Sequence, residues 1–235
     1  MQVLVDNVDV FARGLYVTLQ LCLLSALGAL VLGTVLAAMR ISPVPPLRWL
    51  GTAYVTVVRN TPLTIVFFVA AFGLPQLGSN ADFLRIPGLD RLFVRLGTDL
   101  PFFRFAILAL TVYTAAFVCE ALRAGVNAVQ PGQAEAGRSL GLTFLQNLRL
   151  VVLPQAGQAT VVPLGSVVIA MIKNSALAGI FGVTGDLMQV SDDLVSARGL
   201  PLVPVFVGIA AGYLLLTVPL GLWLDRIERR RVVAR

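Results

Sequence analysis

Few residues in this chain could do chemistry, and their types narrow the choice at once. The sequence contains no His. That excludes Ser–His–Asp triads, His proton relays, His-ligated haem and His-containing zinc sites. The single Lys is Lys173 and no Gly-x-x-x-x-Gly precedes it, so there is no P-loop and ATP is not bound by that route. Cys22 and Cys119 both lie in apolar runs. They read as small buried hydrophobes, not as a disulfide framework or a metal site. Two polar stretches remain. Residues 131–156 read PGQAEAGRSLGLTFLQNLRLVVLPQA, which is too polar to be buried in lipid. Lys173-Asn174-Ser175 closes the apolar run VVPLGSVVIAMI, and a charge at membrane depth is costly and usually functional.

The elements that must position these residues are membrane spans. Of 235 residues, 57% are hydrophobic and 13% charged, against about 45–50% and about 25% in soluble proteins. A mean hydropathy of +0.88 leaves too little polar surface to cover a soluble globule. A hydrocarbon core of about 30 Å needs about 20 helical residues. The apolar runs place spans at about 15–39, 61–77, 103–121, 154–173 and 202–224. The second is punctuated by Pro62, Gly73 and Pro75. In the first, Ser25, Ala29, Gly33 and Ala37 recur every four residues, a small-residue stripe that lets helix backbones approach closely. Residues 1–14 hold two Asp and one Arg, so no cleaved signal peptide is expected there.

Orientation follows from the connections. The formal net charge is +6, carried almost wholly by Arg. Arg40, Arg48 and Arg59 lie between the first two spans, and Arg123, Arg138 and Arg149 between the third and fourth. The tail DRIERRRVVAR follows the fifth. The positive-inside rule puts these three regions in the cytoplasm, hence the N-terminus outside and the C-terminus inside. The 78–104 connection, with four Arg, runs against that rule. Basic residues alternate with long apolar runs and form no continuous basic face, so no nucleic-acid partner is expected.

Residues 131–153 carry the local signals of an elbow. Pro131-Gly132 marks a break, and residues 133–140 are good helix formers. Gly141 is placed to end that helix in a left-handed turn. Thr143 can cap a second helix running to about Leu153, and Pro154 then starts the fourth span. The spacing is specific. Glu135-Ala136-Gly137, three residues, Gly141, nine residues and Val151-Val152-Leu153-Pro154 resemble the Glu-Ala-Ala, Gly, Ile-x-Leu-Pro signature of ABC importer permeases. Gly137 stands for the second Ala and Val151 for the Ile. Three further runs resemble the polar amino-acid branch of that family: Arg59-Asn60-Thr61-Pro62-Leu63, Glu120-Ala121-Leu122-Arg123, and Lys173-Asn174-Ser175-Ala176-Leu177 with Gly182-Val183. Residues 39–68 and 132–144 are similar to the glutamate-uptake permeases of actinobacteria.

The resemblance implies an all-α integral membrane protein of the type I ABC importer permease kind. It has one transmembrane permease domain over 1–235, five transmembrane helices and a cytoplasmic helix–Gly–helix coupling elbow. It implies a non-catalytic subunit in a bacterial inner membrane, without cofactor, whose ATP is bound by a partner. Expected partners are an ABC ATPase dimer, a second and different permease chain, an extracytoplasmic solute-binding protein, the bilayer and an amino-acid substrate. Glutamate is the expected cargo, with aspartate, glutamine or a basic amino acid as the alternative. Glu135, Ala136, Gly137, Gly141, Leu153 and Pro154 are the expected coupling residues.

The substrate path is read from Lys173, Asn174, Ser175, Arg59 and Thr61. Lys173 has two readings: a donor to a substrate carboxylate at a loosened helix near Pro163 and Gly165, or a span end snorkelling to the headgroups. Arg59 is either an inner-gate residue or a positive-inside anchor. Glu120 and Arg123 are three apart on one helical face and are expected to pair with each other. The rival class is an ion-coupled secondary transporter. It would want an acid deep inside a span, and the expected spans hold acids only at their ends.

Overall fold

The computed structural model describes residues 2–77, 101–183 and 185–232. After a short α1 (Gln2–Asp6), α2 runs from Val8 to Ile41 without interruption. It ends where Pro43 forces the preceding Ser42 into an extended conformation with ψ 140°. Helix α3 (Pro45–Asn60) opens on two prolines at its first turn, where the missing N–H groups cost nothing. It stops at Thr61, again the residue before a proline. Helix α4 (Leu63–Phe68) then continues through a π turn (Val69–Gly73) and a 3-10 turn (Leu74–Leu77). The stretches Pro45–Asn60 and Leu63–Gln76 meet at an angle of 103°. The sequence reading has no element over 45–60. Its apolar residues are too spread for a span, but they suffice for an amphipathic helix.

Helix α5 (Pro101–Asn127) is the axis of the fold, with α2 and α8 (Leu153–Asn174) packed along it. The α2 stripe is what permits this. Ser25 and Ala29 are fully buried, and a Cβ on Gly33 would lie 2.9 Å from the Ala115 carbonyl. At the C-terminal end of α5, a Cβ on Gly125 would fall on Thr160 Oγ1 and within 2.8 Å of the Ala156 carbonyl of α8. In lipid, such backbone approach replaces the hydrophobic drive that packs helices in water. Helix α3 covers the C-terminal half of α5 through Val55, with Tyr54 donating its hydroxyl to the Val112 carbonyl at 2.8 Å. Helix α4 and the π turn after it cover the N-terminal half through Phe67 and Ala70 against Phe105 and Ala106.

Helices α6 (Pro131–Ser139) and α7 (Phe144–Asn147) form the connection from α5 to α8. Helix α8 begins at Leu153 with Pro154 in its first turn, where the sequence places the start of the fourth span. Helix α7 passes through a π turn (Leu148–Val152) into α8 and on to α9 (Ala176–Ile180), and Phe144–Ile180 is one 37-residue helical run. The wider π turn accommodates the proline ring and its missing N–H, so the helix continues where an ideal α-helix would kink. Pro163 and Gly165 likewise lie within unbroken α8, and Gly165 admits the Leu224 side chain of α10 (Leu202–Val232).

Residues 185–201 fold over the end of the bundle. Leu187, Val190 and Leu194 are buried there against Val205 and Ile209 of α10 and Phe11 and Leu15 of α2. Among the described residues, four helices are long and apolar enough to cross a membrane, or five when the bent pair counts as one span. The molecule is all-helical in its described residues, as the sequence leads one to expect.

Candidate functional site

Two places gather the residues singled out by the sequence. The first is the elbow. Helix α6 ends at Ser139, and Gly141 takes φ +81°, a left-handed turn that a side chain would strain. Thr143 then caps α7 in a capping box: its hydroxyl accepts the Gln146 N–H while the Gln146 side chain accepts the Thr143 N–H at 2.9 Å. The two arms are tied by Asn147, whose Nδ2 donates to the Ala134 carbonyl at 2.7 Å. Gly137 is buried directly against it, and a Cβ at that position would meet the Asn147 amide. Sequence reading missed Asn147. The signal available was that Gly137 replaces the alanine of the resembled motif, which leaves room for a larger neighbour.

The outward surface of the elbow is apolar. Leu140 and Phe144 are each 83% exposed, and Leu145 is 70% exposed. Glu135 and Ala136 are also exposed beside them, as are Leu153 and Pro154 further along. Such an exposed apolar cluster marks an interaction surface.

The second place is a cavity of about 350 Å³ between α5 and α8. Tyr113, Thr114 and Phe117 wall it from α5, and Ser166, Ala170 and Asn174 from α8. Tyr113 and Phe117 are one helical turn apart with ring centroids 5.1 Å apart. Of the expected path residues, only Asn174 lines this cavity. Lys173 is exposed on another face of α8. Ser175 is fully buried and donates its hydroxyl to the Ile172 carbonyl at 2.7 Å. Thr61 donates to the Val57 carbonyl at 2.9 Å and borders a separate apolar groove of about 250 Å³ with Leu108 and Val112.

Arg59 lies beside the cavity. Its guanidinium carbon is 5.7 Å from the centroid of the Phe117 ring, and its Nη1 is 3.6 Å from Glu120 Oε1. The expected attraction between Glu120 and Arg123 is present, but it is joined by partners from two other helices. Arg40 of α2 reaches the same Glu120 Oε1 in a close ion pair, so the carboxylate bridges α2, α3 and α5. Inter-helix packing brings Arg40 and Arg59 within reach, and sequence spacing along one helix could not reveal that. Among the described residues, no group of three or more His, Cys, Asp or Glu side chains is placed to hold a metal ion.

Comparison with known proteins agrees with this architecture. The family model described as "binding-protein-dependent transport system inner membrane component" matches residues 29–233. The glutamate transport system permease protein GluC of Corynebacterium efficiens is 42% identical over 221 residues, which cover 94% of this chain and 93% of that protein. The probable glutamine ABC transporter permease protein GlnM of Bacillus subtilis is 39% identical over 228 residues, 97% of this chain and 96% of that one. A solved structure described as an amino acid ABC transporter with histidines matches with a TM-score of 0.81 at 30% identity, covering 97% of both chains.

Proposed function

From the premise that this chain belongs to the family of binding-protein-dependent transport inner membrane components, as a permease subunit of an amino-acid ABC importer, we propose that its cargo is glutamate. Its elbow is the coupling site for a separate ATPase. The observation that carries the coupling assignment is the exposed apolar cluster Leu140, Phe144 and Leu145 on a turn fixed by Gly141. A groove on an ABC ATPase dimer accepts that cluster, with Glu135 at its rim to meet a basic group. A short, internally clasped elbow passes a rigid-body movement into α8. The ATP-bound partner then drives transport only if it binds one permease conformation better than the other.

Among the described residues, α5 and α8 wall the cavity of about 350 Å³. A second permease subunit, a sister chain, supplies the missing wall, and the substrate passes between the two. An extracytoplasmic binding protein delivers the amino acid. This orientation puts the N-terminus outside and the C-terminus in the cytoplasm, by the distribution of Arg. ATP is bound by the partner, and this chain needs no cofactor of its own. The similarity to GluC supports glutamate, and the similarity to GlnM makes glutamine the specific second reading.

The test is uptake of labelled glutamate into proteoliposomes holding this chain with its ATPase, sister permease and binding protein. Uptake is expected to require ATP. Replacing Gly141 by Val, which forces a β-branched residue into φ +81°, is expected to leave ATP hydrolysis running while uptake falls about tenfold, since the turn is strained by about 1–2 kcal/mol. Uptake of glutamine in preference to glutamate overturns the cargo. Transport driven by an ion gradient without ATP overturns the mechanism.

A further inference from the structure

Tyr113, Phe117 and Glu120 fall at i, i+4 and i+7 on α5 and so share one face. The two rings wall the cavity. Glu120 stands on the next turn inward, so a solute leaving the cavity past Phe117 meets Glu120 and its two arginines next. The two guanidiniums are held differently. Arg40 is closely paired with Glu120 and its side chain is 12% exposed. Arg59 is 46% exposed, sits at 3.6 Å from the same oxygen, and lies over Phe117. It belongs to the last turn of α3, immediately before the 103° bend at Thr61-Pro62. One carboxylate is therefore shared by two arginines, and the looser, hinge-borne one faces the path with positive charge to spare.

We infer that Arg59 is the residue that selects an acidic side chain at the inner end of the path, and that Glu120 is an internal competitor that displaces the substrate carboxylate from it. The inference rests on the proposed acidic cargo. An arriving carboxylate takes Arg59 from Glu120, to which it is only loosely bound, while Arg40 keeps the half-buried Glu120 paired. The reverse exchange releases the substrate to the cytoplasm. Carboxylate replaces carboxylate at one guanidinium, so no proton or electron need move. A side-chain amide carries no charge to make the same exchange.

The experiment is equilibrium binding of labelled glutamate and of labelled glutamine to the purified permease–ATPase complex without the binding protein, so that only the membrane site selects. Arg59→Gln leaves the Arg40–Glu120 pair intact and is expected to weaken glutamate binding about tenfold with little change for glutamine. Glu120→Gln removes the competitor and is expected to move glutamate the other way, several-fold tighter. Opposite signs on one ligand are not the mark of a merely structural residue. The inference is overturned if both variants weaken glutamate, or if glutamine moves as far as glutamate in either. A wild-type complex that binds glutamine and not glutamate overturns the acidic cargo and this inference together. Binding of glutamate that ignores both substitutions overturns the inference alone, and a complex that binds neither amino acid has no such site.

Discussion

Asp186 is fully buried in the connection between α9 and α10, with one carboxyl oxygen accepting the Gln189 N–H at 2.9 Å. The other oxygen has no hydrogen-bond partner among the described residues. Loss of water pushes its carboxyl up to about 7, against the pull of the backbone N–H groups that favour the charged form. The sign of the consequence is fixed. An unfolded chain gives up this proton near pH ~4, whereas the folded chain keeps it to about 7. The contribution of this carboxyl to stability is therefore greatest in acid, is lost as pH rises from about 4 through about 7, and then levels off. Asp186→Asn keeps an oxygen to accept the Gln189 N–H and cannot ionise. Its thermal unfolding in detergent is expected to be flatter with pH than wild type and to occur at higher temperature on the alkaline side. Equal slopes in the two proteins would show that the carboxyl does not titrate there. Nothing in the sequence marks Asp186 apart from Asp192 and Asp193 nearby, because burial by residues distant in the chain is what sets it apart.

The elbow shows how much an element owes to its own sequence. The turn at Gly141 and the cap at Thr143 are legible in the string of residues, since both arise from contacts within a few positions. The clasp is not, because Asn147 and Ala134 lie thirteen residues apart and meet only when both arms are formed. Gly137→Ala restores the alanine of the resembled motif, yet its Cβ would meet the Asn147 amide. This substitution alone is expected to reduce coupled uptake several-fold, and the double change Gly137→Ala with Asn147→Ala to recover part of the loss. The coupling between the two sites, read from uptake per ATP hydrolysed across the four variants, checks this. Additive losses would remove the clasp from the account. The same distinction explains the course of the chain at Pro62 and Pro154. Thr61, before Pro62, is extended and the helix bends sharply, whereas Pro154 is absorbed by a π turn and the helix runs on.

At the scale of the whole molecule, the cavity between α5 and α8 is walled, among the described residues, by those two helices, while α10 presents Leu214, Leu215, Val218 and Leu222 outward. A photoreactive benzoylphenylalanine at Ala170 is expected to cross-link to a neighbouring permease in the assembled transporter. The same group at Leu215 is expected to give no protein adduct. The reverse pattern, read on a denaturing gel, would place the subunit interface on α10. Some of this molecule is fixed by the residues in their order. Hydropathy dictates a helical membrane protein, because a backbone in lipid must satisfy its own hydrogen bonds. The stripe Ser25, Ala29 and Gly33 announces a close helix crossing, and Glu135 to Pro154 carries a family signature in its spacing. What only the tertiary structure decided is which distant groups meet. It brought Arg40 and Arg59 to Glu120 in addition to Arg123, put Asn174 on the cavity and Lys173 off it, and buried Asp186. The physical reason is common to all three. Local pattern fixes which face of a helix a residue occupies, but the partner of that face is fixed only when the helices pack.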